Sequence, residues 1–588
     1  MQTTQCDLRW SRRLKANRST IQFTACLTAI LSLAGCSESV HVPADVAAAY
    51  EHEPLHTRRM SQEQYANTIH YIFGRDIDVG TPFAPLRRTD GLLASGAATA
   101  GMTGGELQQL QRSASSIAAQ VLDKGNIEHK TPSRREFLVP CSPADETAAG
   151  DACAKKFIQH TGRLLYRHPL TEARLGELVA MAHQGSTTLK DFYAGLGLVL
   201  EGMLLDPKFL MIADETEPDP EHTGKRRLDA YSLASRLSFF LWNAGPDDAL
   251  LQAAETGALN SNTGLTRVVD SMLASPRLET GVRAFFDDML GFDDFDTLAK
   301  DPSVYPAFTG TTVTDAREQT LRTVVDQLIT KKGDYRDLYT TRSTFISPAL
   351  STIYDVPAPP GWTPYEFPPD SPRSGMLTQI SFLAVHAHPA RSSPTRRGKA
   401  LRELLLCENV PTPPPNVDFS ALNNPDAHYR TQRERVAVHL KNATCAGCHR
   451  LTDPMGLALE SFDGAGRFRD TENGAKIDTN GSLDGKKFND VVGLASALHD
   501  NPALTSCFVQ RLYSYGSGGP TLPRDRPLLT YLNERFAKDG YRVPDLMRTI
   551  ALGFAYPRVT KGVSPSPEVK QAANTARTLS NPAALESE

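Results

Sequence analysis

Residues 431–449 read TQRERVAVHLKNATCAGCH, and this stretch decides both which fold to expect and which chemistry to look for. Residues 431–441 carry helical periodicity. Close behind them, Cys445-Ala446-Gly447-Cys448-His449 is a C-x-x-C-H motif, the pattern of covalent haem c attachment, in which both thiols bond the vinyl groups and the imidazole ligates iron. With 9 Cys and 15 His in 588 positions, random placement yields on the order of 0.003 such matches. Two rivals use the same residue types. A zinc site needs four donors, and no second cysteine pair at metal spacing follows. A thioredoxin-type disulfide wants a strand before the motif, where this chain has a helix.

The motif implies one covalently attached haem c, held by Cys445 and Cys448, with His449 as the proximal iron ligand. Helical patterns at 491–498 and 504–515 suit a small bundle clasping the macrocycle. Met455 and His386 lead the candidates for the distal position, with Met376, His388, His499 and Met547 also possible if another segment folds over that face. Met455 is near in sequence, but six residues reach at most about 20 Å when extended. His386 requires another segment to fold over the distal face. The cations Arg391, Arg396, Arg397, Lys399 and Arg469 are candidate partners for haem propionates.

Further out, a capping box at Ser61-Gln62-Glu63-Gln64 opens a helix to about Ile72. Helical patterns continue at 105–122, 154–165, 171–182, 192–205, 229–242, 247–255, 265–273, 281–290, 314–329 and 376–385. The expected class is mainly α, a multi-domain helical protein with a C-terminal cytochrome c-like haem domain and at most a small β-hairpin. That hairpin is expected to turn at Asn480-Gly481. The acidic run 215–221 reads as a linker and 411–415 (PTPPP) as a stiff spacer.

The amino terminus reads as a targeting segment. Arg9, Arg12, Arg13, Lys15 and Arg18 precede the apolar stretch 21–35, which is short for a membrane span. It ends in Leu33-Ala34-Gly35-Cys36, a tetrapeptide that resembles the bacterial lipobox, so Cys36 is expected to carry lipid and anchor the mature chain. Ser37 after the cysteine points to an outer-membrane lipoprotein of the cell envelope, facing the periplasm or the surface. Discounting Cys6 and Cys26 in the leader and a lipidated Cys36, four cysteines remain beside the haem pair. Cys141 and Cys153 share one polar loop and are expected to pair; Cys407 and Cys507 flank the motif and are expected to close a long loop around it.

The expected divisions are a signal peptide at 1–35, an N-terminal helical domain at 36–140, a helical domain with the disulfide loop at 141–215 and a helical domain at 222–355. A helical segment and Pro-rich spacer at 370–415, the haem domain at 416–561 and a disordered tail at 562–588 complete the chain. The balance of 63 Lys+Arg against 67 Asp+Glu gives net charge −4, which provides no general attraction for phosphate backbones. A nucleic-acid partner is therefore not expected.

The motif continues as HRLTDPMG to Gly456 and then as LESFDGAGRFR from Leu459 to Arg469. Together with RRMS at 58–61, RLLYR at 163–167, LSFFLW at 237–242, RSGMLTQ at 373–379 and SPTRRGK at 393–399, it resembles the large exported cytochrome c-like proteins of planctomycetes and myxobacteria. Their segments are known only as domains of unknown function, of the 1587, 1595, 1592, 1588 and 1585 type in that order. The resemblance spans nearly the whole mature chain and implies architecture; no activity comes with it. One departure is Ser517-Gly518-Gly519, where the family ends a helix in Gly-Arg.

Three functional readings follow. An anchored haem c protein passing electrons to or from a redox partner protein is favoured, because no distinctive acid/base motif appears. A haem-dependent oxidoreductase of peroxidase or oxygenase type, and a cell-surface binding protein with structural haem, are the alternatives. Whether the chain is an enzyme stays open at this level.

Overall fold

The computed structural model describes Val46, Tyr50 and residues 55–81, 83–125, 133–412, 429–441 and 443–556. The signal segment, Cys36, the chain between 413 and 428 and the tail at 562–588 lie outside the described residues.

The helical patterns singled out in the sequence all fall on helix, most as single helices with ends displaced by up to seven residues; 376–385 divides into a 3-10 turn, Met376–Thr378, and the short helix Ile380–Val385, and 431–441 into the helix Gln432–Ala437 and a 3-10 turn, His439–Lys441. The first runs Gln62–Phe73 behind the full Ser61–Gln64 capping box. The most apolar, Phe192–Leu205, buries Leu196, Val199, Leu200, Met203 and Leu204 almost completely. It is a core helix, and no helix among the described residues is long and apolar enough to cross a membrane. Around it gathers one apolar cluster, drawn from Met60 through Ile212 together with Phe239, that includes Tyr65, Ile117, Phe157 and Phe209. The expected segments 36–140 and 141–215 thus share a core, and strand Thr57–Arg59 pairs antiparallel with Met211–Ala213 across them.

The strand content exceeds the single hairpin expected. Five two-stranded antiparallel ladders are present among the described residues. One is built on the acidic run read as a linker: Thr216–Pro218 pairs with Arg226–Leu228, and Arg227 lies 2.7 Å from Glu217 across it. Cross-strand ion pairing supplies there what apolar alternation does not. The Asn480-Gly481 turn is also displaced. Gly481–Leu483 pairs with Lys486–Phe488 around Asp484-Gly485, whose φ values of 48° and 89° are those of a tight hairpin turn.

The helix Pro502–Ser517 forms where expected but packs away from the motif. Its Phe508 stacks on Tyr335 at 4.0 Å, and its Tyr515 meets Phe285 edge-on at 5.3 Å. These rings find more apolar partners on the helix Leu278–Met289 and near Tyr335 than a small bundle provides. Both expected disulfides are present, Cys141–Cys153 and Cys407–Cys507, with Cα separations of 5.6 and 5.3 Å. The second ties the Pro502–Ser517 helix to the segment that backs the motif.

Candidate functional site

The motif lies on the helix Ala443–Gly456. This helix is seated by three glycines at which neighbouring backbones touch. A Cβ at Gly398, on the helix Pro394–Ala400, would stand 1.9 Å from the Thr452 carbonyl oxygen; one at Gly456 would stand 1.8 Å from that of Pro394. Gly481 meets the Pro454 oxygen in the same way, at 2.0 Å, which explains why Asn480-Gly481 is spent on a close approach instead of a turn. With no side chain between them, the helices bring Thr395 directly against the motif.

Cys445, Cys448 and His449 stand at positions i, i+3 and i+4 of one helix and so share a face. Both thiols are half-buried and unbonded to one another. Among the described residues, every hydrogen-bonding neighbour of the His449 ring is on Nδ1. Asp453 Oδ2 accepts from it at 2.8 Å, His439 Nδ1 lies at 3.1 Å and Thr395 Oγ1 at 3.4 Å. Thr395 also donates to Asp453 Oδ1 at 2.7 Å. The two imidazoles lie 4.0 Å apart, and the buried Nε2 of His439 has no hydrogen-bond partner among the described residues. Leu440 and Leu451, near the motif in sequence, expose 43% and 44% of their surface.

The donor atoms of His439, His449 and Asp453 all lie within 4.8 Å of one another. Neither His439 nor the pairing of Asp453 with His449 was singled out in the sequence. The i,i+4 spacing of His449 and Asp453 was a usable signal; His439 and Thr395 come from other elements and had none.

Neither leading distal candidate is among the hydrogen-bond or ring neighbours of His449 in the described residues. Met455 is fully buried on the same helix, six residues on. His386 follows the short helix Ile380–Val385, packs edge-on against Phe382 at 4.8 Å and lines a small cavity with Met376, Thr320 and Phe292. Burial, reinforced by Arg397, Arg396 and Lys300, pushes it down to about 3, so it is a neutral imidazole.

Of the cations expected to serve propionates, Arg397 is unavailable. It is fully buried, donates to the Leu459, Phe462 and Asp463 carbonyls at 2.6 to 2.8 Å and pairs with Glu460 at 3.3 Å. Arg469 is likewise held by Glu460 and Glu472, and Lys399 lies 3.6 Å from Glu403. Arg391 is different: burial first, and then the neighbouring Arg435 and Arg396, lower it from its usual value. Cations close enough to repel one another are a natural seat for an anion.

Four family models match the chain, each described as a protein of unknown function: DUF1595 over residues 153–214, DUF1592 over 228–356, DUF1588 over 373–472 and DUF1585 over 484–554. The 1587-type segment implied at the N-terminal end is not among these four. No curated protein and no solved structure matches. The motif helix falls within the DUF1588 segment, and with these four domains the chain belongs to the planctomycete-type cytochrome c-like family.

Proposed function

We propose that the chain is a c-type haem protein of the cell envelope, anchored through Cys36, that exchanges electrons with a redox partner protein. The observation that carries this reading is the shared helix face of Cys445, Cys448 and His449, with the His449 ring held by its Nδ1 so that Nε2 is left for a ligand. The surroundings suit such a group. Leu440 and Leu451 offer exposed apolar surface near the motif, and Arg391 with Arg396 and Arg435 offers positive charge for carboxylates. When bound, haem c supplies one-electron chemistry at iron. The chain's own part is to fix the macrocycle by two thioethers, to orient the imidazole and to shield one side with the helix Pro394–Ala400.

A second reading is a mononuclear metal centre at His439, His449 and Asp453, favoured by the convergence of three donor atoms. It leaves the two thiols without a role. Expression with haem c maturation, followed by absorption spectra of both redox states with and without carbon monoxide, separates the readings. Electron transfer predicts a haem spectrum indifferent to added ligand. A spectrum that changes with carbon monoxide moves the function to the oxidoreductase alternative, and a colourless, metal-bearing product supports the second reading. For the anchor, Cys36→Ser is expected to shift the chain from the membrane to the soluble fraction.

A further inference from the structure

Asp453 is only 2% exposed, and both its oxygens are committed: Oδ2 to His449 Nδ1 at 2.8 Å, Oδ1 to the hydroxyls of Thr395 at 2.7 Å and Thr452 at 3.2 Å. The backbone around it is closely packed: the contacts at Gly398 and Gly456 leave no room for a Cβ between the two helices on either side of it. A neutral imidazole carries one N–H. Of the three groups beside His449 Nδ1, Asp453 is the only anion, so the proton belongs on Nδ1 and points at the carboxylate, while the Nε2 lone pair is presented outward. A carboxylate in this place gives the imidazole partial imidazolate character and makes Nε2 a stronger electron donor.

We propose that Asp453 is a positioning residue that locks His449 in the Nδ1–H tautomer and, through it, favours the ferric over the ferrous state of the attached haem, with Thr395 holding the carboxylate in place. This rests on the haem reading above and deepens it: a carboxylate-backed ligand marks a centre built for a low reduction potential. No covalent step is involved; the only change is the donor strength of Nε2.

Two measurements on the full chain test it. Nitrogen-15 NMR of labelled histidines in haem-free protein is expected to show His449 as the Nδ1–H tautomer in the wild type and as a tautomer mixture in Asp453→Asn. Redox titration of matured protein is expected to show an equilibrium shifted about tenfold toward the ferrous form in Asp453→Asn, which is about 59 mV for one electron. Should Asp453→Asn fail to fold, the tautomer of His449 in the wild type alone decides. Haem-bearing protein whose potential is the same in wild type and Asp453→Asn overturns the role of Asp453 and leaves the attachment standing. So does an Nε2–H tautomer in the wild type. A wild-type chain that takes no haem overturns the proposed function together with the effect on potential.

Discussion

Glu106 is the clearest case in this molecule of a single side chain setting a pH dependence. It is the third residue of the helix Gly104–Val121 and completes the Thr103 capping box. It accepts from the Thr103 amide at 2.8 Å, from the Ala84 amide at 3.1 Å and from Arg59 at 2.6 Å. The Thr103 amide above all, with Ala84 and Arg59, holds its carboxyl down from 4.5 to about 2. A carboxyl depressed in the folded state contributes stability that is present above the unfolded value and lost as pH falls through the folded one. Between pH 4.5 and 2, wild type is expected to lose on the order of 3 kcal/mol more than Glu106→Gln, read from urea unfolding at each pH; parallel loss in both proteins contradicts the assignment. At this scale the chain was partly transparent. Cys445, Cys448 and His449 declare themselves because the C-x-x-C-H pattern is a set of fixed residue types at fixed spacing. Thr395, His439 and the buried pair Arg397–Glu460 do not, since each gains its meaning from a residue ten to more than sixty positions away.

The elements that matter most are the two helices Pro394–Ala400 and Ala443–Gly456, joined through Gly398 and Gly456. Replacing Gly398 by Ala drives a methyl group into the Thr452 carbonyl, and the helices must separate. The expected cost is at least the 1–3 kcal/mol typical of overpacking, seen as a lower unfolding midpoint, together with loss of the Thr395 contact to His449. A substitution at Gly447, where nothing lies within 4 Å of a Cβ, is expected to be neutral by the same measure. Full stability in Gly398→Ala refutes the close crossing. Helices were legible here because long apolar periodicity and capping residues such as Ser61 are local signals. The short ladders were not, because a three-residue strand such as Thr57–Arg59 takes its partner from Met211–Ala213, far along the chain. Gly481 misled for a related reason: a glycine needed for a turn and a glycine needed for a close approach look alike in sequence.

For the molecule as a whole, the disulfide Cys407–Cys507 closes a separation of 100 residues that contains the motif, whereas Cys141–Cys153 closes one of 12. In the chain-entropy account a loop of the first length contributes about 4.7 kcal/mol and a loop of the second near 3 kcal/mol. Paired serine substitutions are therefore expected to lower the unfolding free energy more for Cys407 and Cys507 than for Cys141 and Cys153; the reverse order contradicts the long bridge as the main brace of the motif region. The family was legible from several stretches of residues together. The way distant segments share cores was not, because the aromatic contacts of Phe508 and Tyr515 with Tyr335 and Phe285 follow no local pattern. The central claim is that Cys445 and Cys448 carry one haem whose iron is held by His449. It is tested most directly by the mass of the peptide containing residues 445–449 from matured protein, measured beside Cys445→Ala/Cys448→Ala. One haem mass is expected on the wild-type peptide and none on the variant; an unmodified wild-type peptide from a strain that matures other c-type proteins rules the attachment out.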